Sequence, residues 1–286
     1  MKTGPTMDNI VKIKNLTFDK SLFVNFRSGT VLDNLLCSYQ GLPKGVNYMT
    51  IGDPGVGKTT IVMDLLANIK AYNPSASVLF ISAEMNEIDL AVYVQRYPKF
   101  GDLDILFVEA DFETTGEKHF DMIDRILRRG WDIVAIDSFY ELQGIVKEEE
   151  NITQRLAETR LLQLIKRNNK ADNDAGINTT FLTIQQVTKS GAFIGSNRLK
   201  HMITAMMELR LENPRNIYSD RYVVFSKHRR GDVGVRLYYN LSSTGDVNYD
   251  EERYERDQRL RHIQSHVSAQ LRDFANQFDN ININNN

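Results

Sequence analysis

The feature that most constrains this chain is a glycine-rich loop set between an apolar run and a helical pattern. Residues 52–59 read Gly-Asp-Pro-Gly-Val-Gly-Lys-Thr, a complete match to G-x-x-x-x-G-K-[ST]. The apolar residues 48–51 precede the loop, and a helical pattern over residues 59–70 follows it. Glycines let successive backbone N–H groups face one anion, and the positive end of the next helix strengthens that field. The sequence therefore predicts a phosphate-binding loop between a buried strand and a helix.

The ligands expected at this loop are a nucleotide and Mg²⁺. The loop alone does not separate ATPases, GTPases, kinases and motors, and the motifs elsewhere in the chain favour ATP. In this motif the lysine, Lys58, reaches the β- and γ-phosphates, and the hydroxyl of Thr59 holds the metal ion. The residues predicted to bind the nucleotide are Gly52, Asp53, Pro54, Gly55, Val56, Gly57, Lys58, Thr59 and Thr60.

Two carboxylates follow other apolar runs. Asp137 ends the run 131–136, and in parallel sheets ligands lie at the carboxyl ends of the strands, so Asp137 is a candidate for orienting Mg²⁺. Its other interpretation is a cap for the next helix. Glu84 ends the run 78–83 and is a candidate general base for an attacking water. For Glu84 too, an acidic helix cap is the alternative.

Short β-type runs alternate with helical segments along most of the chain. This pattern predicts an α/β fold with a mostly parallel central sheet flanked by helices. The later β-type runs are closely spaced, which predicts antiparallel strands at the end. Strands are predicted at residues 48–51, 78–82, 105–108, 133–136, 180–184, 205–211, 222–226 and 235–240. Helices are predicted at residues 59–70, 87–96, 120–129 and 153–167.

The chain divides into four parts on this evidence. Residues 1–26 form an N-terminal arm in which 11–13 and 22–26 could be strands, and residues 27–245 form the core. Residues 246–279 contain apolar side chains three and four positions apart, typical of an amphipathic helix. That helix either covers its own subunit or packs on a neighbouring one. Residues 280–286 are an Asn/Ile tract expected to be disordered.

Composition excludes several classes of protein. Lys and Arg number 35 and Asp and Glu 37, a net charge of −2, so a protein that coats nucleic acid by bulk charge is excluded. Cys37 is the only cysteine, which rules out an intrachain disulfide and suggests a reducing compartment. Since no apolar run approaches about 18–20 residues, we expect no membrane span and a cytoplasmic location.

The motifs, taken in order, resemble the RecA-like ATPase core, and within it the branch of the RadA/Sms repair ATPases and the DnaB-type helicases. The resemblance covers about residues 27–240. Residues 27–33 and 41–45 are similar to the lead-in of RadA-type cores. Residues 81–85, Ile-Ser-Ala-Glu-Met, are similar to the segment that carries the family's catalytic glutamate, and residues 136–138 match its Walker B strand end.

Two later stretches carry the resemblance further. Residues 185–202 are similar to the RadA segment that ends in L-x-H-M, and there Gln186 falls on the family's γ-phosphate sensor. Residues 227–234, Lys-His-Arg-Arg-Gly-Asp-Val-Gly, resemble K-x-R-x-G-x-x-G of the DnaB type. The resemblance implies that Lys227 and Arg229 reach the γ-phosphate of a neighbouring subunit. It also implies a homo-oligomer, expected to be a hexameric ring.

The sequence also departs from these families. Arg230 replaces the aromatic residue of the RadA motif K-N-R-F-G. One cysteine cannot build RadA's four-cysteine zinc module, and 46 residues after Asn240 are too few for its Lon-like domain. Likewise, residues 1–26 cannot supply the N-terminal domain of a DnaB-type helicase. We therefore expect a stand-alone motor core.

A local excess of positive charge suggests where DNA would bind. Residues 189–230 contain nine Lys or Arg and three Asp or Glu. Within it, Lys189, Arg198 and Lys200 occupy a glycine-rich stretch expected to be a loop, where cations and backbone amides can follow a single strand. Phe193 either stacks on a base or anchors that loop. The segment after Asp137, residues 143–151, is interpreted as an acidic loop and a poor DNA contact.

The leading hypothesis is an ATP hydrolase that moves along or remodels single-stranded or branched DNA in replication, recombination or repair. A protein from those processes is a candidate partner. Lys58, Thr59, Asp137 and Glu84 would act in cis, and Lys227 and Arg229 in trans. A different class is a RecA-fold regulatory ATPase, similar to KaiC, acting on a protein partner; the acidic residues 147–150 and the C-terminal helix fit it. A third is a strand-exchange recombinase, which would form open filaments rather than rings.

Overall fold

The computed structural model describes residues 12, 14, 17, 23–108, 116–187, 195–242 and 246–283. In the last stretch, side chains are described through residue 264 and at 267, 268 and 270. Among all of the described residues, no helix is both long enough and apolar enough to span a bilayer.

A nine-stranded sheet runs through the molecule. The strands are β1 Asn47–Gly52, β2 Val78–Ser82, β3 Asp104–Phe107, β4 Ile133–Asp137, β5 Thr180–Ile184, β6 Ala205–Leu211, β7 Arg221–His228, β8 Arg236–Leu241 and β9 Val247–Tyr249. Their order is β3-β2-β4-β5-β1-β6-β7-β8-β9. The neighbouring strands among β1, β2, β3, β4, β5 and β6 are parallel to one another. The pairs β6–β7, β7–β8 and β8–β9 are antiparallel. The predicted α/β fold, mostly parallel with antiparallel strands at the end, is confirmed.

Helices lie on both sides of this sheet. They are α1 Asp33–Leu36, α2 Lys58–Tyr72, α3 Glu87–Arg96, α4 His119–Leu127, α5 Phe139–Glu149, α6 Gln154–Asn169, α7 Asn197–Met202 and α8 Glu251–Ile283, with a 3₁₀ turn at Pro98–Phe100. Side chains of Asn86, Ser138, Thr153 and Ser196 cap α3, α5, α6 and α7 by accepting a backbone N–H three residues on.

The core has two layers because alternate residues of the central strands point to opposite faces. Tyr48 and Phe80 belong to a cluster with α2 and α3, whereas Met49 and Ile81 belong to a second cluster with α4, α5 and α6. Every residue of β1, β2, β4 and β5 is buried, as expected for parallel strands covered on both faces. The sheet is therefore a rigid platform whose carboxyl edge positions the loops that follow.

The acidic loop expected at residues 143–151 is wrong for most of its length, because α5 occupies 139–149. Ser138 caps this helix, and Phe139, Leu142 and Val146 are buried along one face. That three- and four-residue spacing outweighs the charge of residues 147–150, which lie at the helix end.

The two ends of the chain also differ from expectation. Residues 23–25 form no strand, and Phe26 makes only an isolated bridge with Leu42. The other proposed N-terminal strand, 11–13, lies mainly outside the described residues. The C-terminal helix begins at Glu251, after the short strand β9, and continues to Ile283, into the tract expected to be disordered.

Candidate nucleotide site

The phosphate loop joins the carboxyl end of β1 to the first turn of α2, as the sequence predicts. Gly57 has φ +102°, in the region that favours glycine, and a Cβ there would lie 2.6 Å from Leu241 Cδ1. The buried hydroxyl of Tyr239 donates to the Val56 carbonyl at 2.8 Å. Strand β8 therefore packs against the loop and supports it, and no sequence motif predicts this role.

Lys58 folds back over its own loop. Its Nζ donates to the carbonyl oxygens of Gly52 at 2.9 Å and Asp53 at 3.1 Å. Burial lowers the pKa of Lys58, while the negative charges of Asp137, Glu84 and Asp53 oppose that shift. The ammonium group is thus held where the phosphates of a nucleotide would enter.

Thr59 and Asp137 come together although they are far apart in sequence. The Thr59 hydroxyl donates to Asp137 Oδ2 at 2.5 Å, and Asp137 is 2% exposed at the end of β4. Burial raises the pKa of Asp137 to about 6; the nearby charge of Glu84 acts in the same direction, and Thr59 and Lys58 oppose it. A hydroxyl and a carboxylate oxygen are hard ligands of the kind Mg²⁺ prefers, so this pair fits the expected metal ion. The helix cap after β4 is Ser138, not Asp137.

Glu84 lies beside the same site but faces solvent. It follows β2 by two residues, and the last residue of β2, Ser82, pairs with Asp137. Its negative charge acts on both groups: it helps to raise the pKa of Asp137 and opposes the lowering of the pKa of Lys58. Because Asn86 caps α3, Glu84 is not the cap. An exposed carboxylate next to the loop can accept a proton from water.

Gln186 reaches the same edge by way of β5, which lies between β1 and β4. It follows that strand by two residues, and its Nε2 donates to Glu141 Oε1 at 3.4 Å. The structure therefore brings the predicted sensor to the loop's edge of the sheet, tethered to α5.

Lys227 and Arg229 lie near the opposite edge of the sheet. Lys227 pairs with Met206, and the next pair along the ladder, Ala205 with His228, lies level with the beginning of β1. Lys227 Nζ donates to the Lys200 carbonyl, and Arg229 Nη2 donates to the His201 carbonyl at 2.8 Å. The structure does not bring either cation to the phosphate loop of its own chain.

The predicted DNA contacts are placed only in part. Lys189 and Phe193 lie outside the described residues. Arg198 and Lys200 lie on α7, so the prediction of a loop there is wrong; the hydroxyl of Ser196 accepts the Leu199 N–H at 3.2 Å and starts a helix. Arg198 donates to Thr159 Oγ1 at 3.0 Å.

A groove of about 700 Å³ lies beside α7, on the face of β1, β6 and β7. Its polar lining comprises Asn197, Lys200, His201, Glu208, Arg210, Ser226 and Lys227. Arg210 forms an ion pair with Glu208 at 2.7 Å. Burial and the positive charges of Arg229 and Lys200 lower the pKa of Lys227. The groove is therefore predominantly basic.

One contact near the site has no counterpart in any motif. The hydroxyl of Tyr93, on α3, hydrogen-bonds that of Thr60, on the first turn of α2. Tyr93 packs against Tyr97 and Phe100 with ring centroids 4.6 and 6.0 Å away. Helix α3 is thus attached directly to the residue that follows Thr59.

Comparison with known proteins places this geometry in context. No protein-family model matches the chain. It is 26% identical over 210 residues to the DNA repair protein RadA of Listeria monocytogenes, covering 72% of this chain and 41% of RadA. It is 30% identical over 175 residues to RecA of Mycobacterium ulcerans, covering 59% and 47% of the two chains. The chain thus spans less than half the length of these relatives.

A solved structure has a similar fold. A KaiC-like protein from Pyrococcus horikoshii superposes with a TM-score of 0.57 at 20% identity, covering 79% of this chain and 98% of that one. At this identity the likeness concerns the fold alone. The chain has a RecA-like fold with a complete phosphate loop, and it is similar in sequence, at low identity, to RadA and RecA proteins.

Proposed function

We propose that this protein is an ATP hydrolase that acts on single-stranded or branched DNA as a homo-oligomeric ring, expected to be hexameric, in which each active site is shared by two copies. The observation that carries this proposal is the separation of two groups of predicted site residues. Lys58, Thr59, Asp137 and Glu84 lie at one edge of the sheet, and Lys227 and Arg229 lie towards the other. A head-to-tail ring would bring the second group of one copy to the first group of the next.

Within one copy, the loop amides and Lys58 would hold the nucleotide phosphates. Thr59 and Asp137 would hold Mg²⁺, which neutralises charge on the phosphate oxygens when it is bound. The charge of Glu84 acts on both Lys58 and Asp137, and its side chain is exposed to water. In this role it would accept the proton of the attacking water. Gln186, on the adjoining strand end, would sense the γ-phosphate.

The neighbouring copy would supply Lys227 and Arg229. Among the residues that the structure describes, both side chains bond neutral carbonyl groups at the end of α7. A γ-phosphate is a much stronger acceptor because it is charged, so exchange of these bonds on assembly is favourable. An arginine supplied in this way stabilises the charge of the transferred phosphoryl group and can accelerate hydrolysis by orders of magnitude.

The basic groove beside α7 supports DNA as the substrate. Lys200, His201 and Lys227 line it, and it adjoins the segment that the sequence assigns to DNA contact. The similarity to DNA repair proteins RadA points in the same direction. Binding of this kind follows the phosphate backbone, so it would be independent of sequence and would weaken as salt is raised.

A regulatory ATPase that acts on a protein partner is the second candidate. The observation that favours it is the exposed apolar stripe of α8, in which Leu260, Ile263 and Val267 are about half exposed. Stripes of this kind are typical of protein interfaces. ATP turnover that does not respond to DNA would favour this function.

The test measures ATP turnover with and without single-stranded DNA at low and moderate salt. We expect stimulation by DNA that fades with salt. In the same assay, Lys227→Ala and Lys58→Ala should each be inactive alone, while a mixture should regain activity, because mixed rings contain sites with an intact loop and an intact neighbour. Absence of rescue in mixtures shown to co-assemble would contradict shared sites.

A further inference from the structure

Helix α8 crosses the sheet at its β8–β9 end and then leaves it. Near its start, Arg253 Nη1 donates to Asp220 at 3.0 Å, next to the β6–β7 turn at the phosphate-loop edge. Two turns later, Arg261 Nη2 donates to the Gly234 carbonyl at 2.7 Å, in the turn after β7 at the opposite edge. Residues 262–283 extend the helix in that direction for about 33 Å. The helix therefore points away from its own phosphate loop, past the edge that carries Lys227 and Arg229.

An apolar stripe begins where α8 leaves the sheet. Leu260, Ile263 and Val267 are 51%, 57% and 48% exposed, and their spacing places them on one face of the helix. In the sequence, Leu271, Phe274 and Phe278 continue the same spacing. Three exposed apolar side chains on one face of a helix are typical of a surface that binds a partner.

A smaller apolar patch lies at the other edge of the molecule, on α3. Ile88 and Val92 are one helical turn apart and 75% and 63% exposed. Glu84, Glu87 and Asp89 surround them and are also exposed. The patch is thus apolar at its centre and acidic around it.

The charges of the two surfaces are complementary. Beside the start of the stripe, Arg256 and Arg259 are 63% and 74% exposed, and each lies near an acid of its own helix, Asp257 at 3.8 Å and Glu255 at 3.9 Å. Residues 84–92 contain three acids and neither Lys nor Arg. Charges of this kind steer association and reject a copy of the same sign, so α8 suits an acidic patch better than it suits another α8.

We propose that the stripe of α8 in one copy packs on the Ile88–Val92 patch of α3 in the next copy. The contact is heterologous, since one copy supplies α8 and the other supplies α3, and repetition of such a contact closes a ring or extends a filament. The proposal rests on the proposed function only for the direction of assembly. It adds the surfaces that hold the copies together.

This contact would act directly on the nucleotide site. The outer face of α3 carries the patch, and its inner face carries Tyr93, whose hydroxyl bonds Thr60 beside Thr59. Glu84 precedes the same helix. A neighbour's α8 would therefore hold α3 and Glu84 in place while Lys227 and Arg229 approach the γ-phosphate.

Cysteine cross-linking tests the contact. Cys37 is buried, 3% exposed, so introduced cysteines dominate the reaction with a short bismaleimide. A mixture of Ile88→Cys and Ile263→Cys chains should give a cross-linked pair that neither variant gives alone. Ile263→Cys mixed with Tyr218→Cys is the matched control, because Tyr218 is 89% exposed on the β6–β7 turn. No pair in the first mixture, or equal yield in the control, overturns the proposal.

Two further readouts separate the remaining outcomes. A cross-linked pair from Ile263→Cys alone would mean that α8 pairs with α8, which also overturns the proposal. Ile263→Glu should lower the assembled fraction at least about tenfold by light scattering, whereas Ile217→Glu, at a site 67% exposed on the β6–β7 turn, should leave it unchanged. Cross-linking with no rescue between Lys58→Ala and Lys227→Ala would retain the contact and reject the shared active site.

Discussion

The groups at the two edges of the sheet differ in their bonding partners and in the charges around them. At the carboxyl edge, the Thr59 hydroxyl donates to Asp137 and Lys58 bonds the carbonyls of its own loop, while the charges of Lys58 and Asp137 act on each other's pKa. Near the opposite edge, the side chains of Lys227 and Arg229 bond backbone carbonyls at the end of α7, within the described part of the chain. The charges that act on Lys58 are the carboxylates of Asp137, Glu84 and Asp53, whereas those that act on Lys227 are the cations Arg229 and Lys200. The difference suggests that the second group completes its contacts in another copy.

The sharpest way to break this comparison is to remove Lys58. We expect Lys58→Ala to lower ATP turnover by about 100-fold or more, since loss of one well-placed donor to a reacting group costs about that much. Nucleotide affinity should fall as well, because Lys58 is already held at the loop before the transition state forms. Lys70→Ala, at the other end of α2, is the control and should keep full turnover. Comparable loss in both variants would point to damage to the helix.

Arg229→Ala should separate binding from turnover. Arg229 makes no contact with the loop of its own chain, so we expect nucleotide affinity measured by fluorescence titration to stay within about twofold. Turnover should fall by about 100-fold or more, as expected for a trans arginine. Arg215→Ala, on the exposed β6–β7 turn, serves as the control. If Arg229→Ala weakens nucleotide binding and leaves turnover per bound nucleotide intact, the second group does not act at a neighbour's site.

Asp137 gives a prediction about pH. Burial raises its pKa to about 6, so between about pH 4 and 6 the folded state binds more protons than the unfolded state. Stability of the metal-free protein should therefore fall as pH rises through that window, by at most about 3 kcal/mol. Asp137→Asn removes the buried charge and should flatten this dependence, making the variant the more stable protein at pH 8 and leaving it similar at pH 4.

Urea unfolding at pH 4, 6 and 8 measures this difference. Mg²⁺ with ATP should stabilise the wild-type protein against unfolding but not Asp137→Asn, since the metal loses a carboxylate ligand in the variant. Asp132→Asn is a useful comparison, because Asp132 lies at the opposite end of β4 and bonds Ser77 at 2.9 Å. A variant at Asp137 that is less stable than wild type at pH 8 would show that the Thr59 bond outweighs the cost of burial.

What the sequence predicts well is local. The phosphate loop, β5, β6 and α3 follow from glycine spacing and hydrophobic periodicity, which act over a few residues. Helix α5 and α7 were harder to predict, because their starts depend on the caps Ser138 and Ser196 and their charged residues suggest loops. The position of Lys227 and Arg229 at the far edge depends on strand order and direction, which no short motif contains.

Tyr239 is the clearest case of a contribution that only the fold shows, and it gives the smallest expected effect. Its hydroxyl donates to the Val56 carbonyl at 2.8 Å from a strand far along the chain. Tyr239→Phe keeps the ring and leaves a buried carbonyl without this donor, at a cost of about 1–2 kcal/mol in unfolding free energy. We expect nucleotide affinity to fall a few-fold, because the loop loses one of its supports, while turnover at saturating ATP stays near that of wild type. Tyr218→Phe, at an exposed turn, should change neither quantity. A large loss of turnover in Tyr239→Phe would mean that β8 positions reacting groups as well as the loop. The residues that act on the nucleotide of their own chain would then include part of the antiparallel half of the sheet.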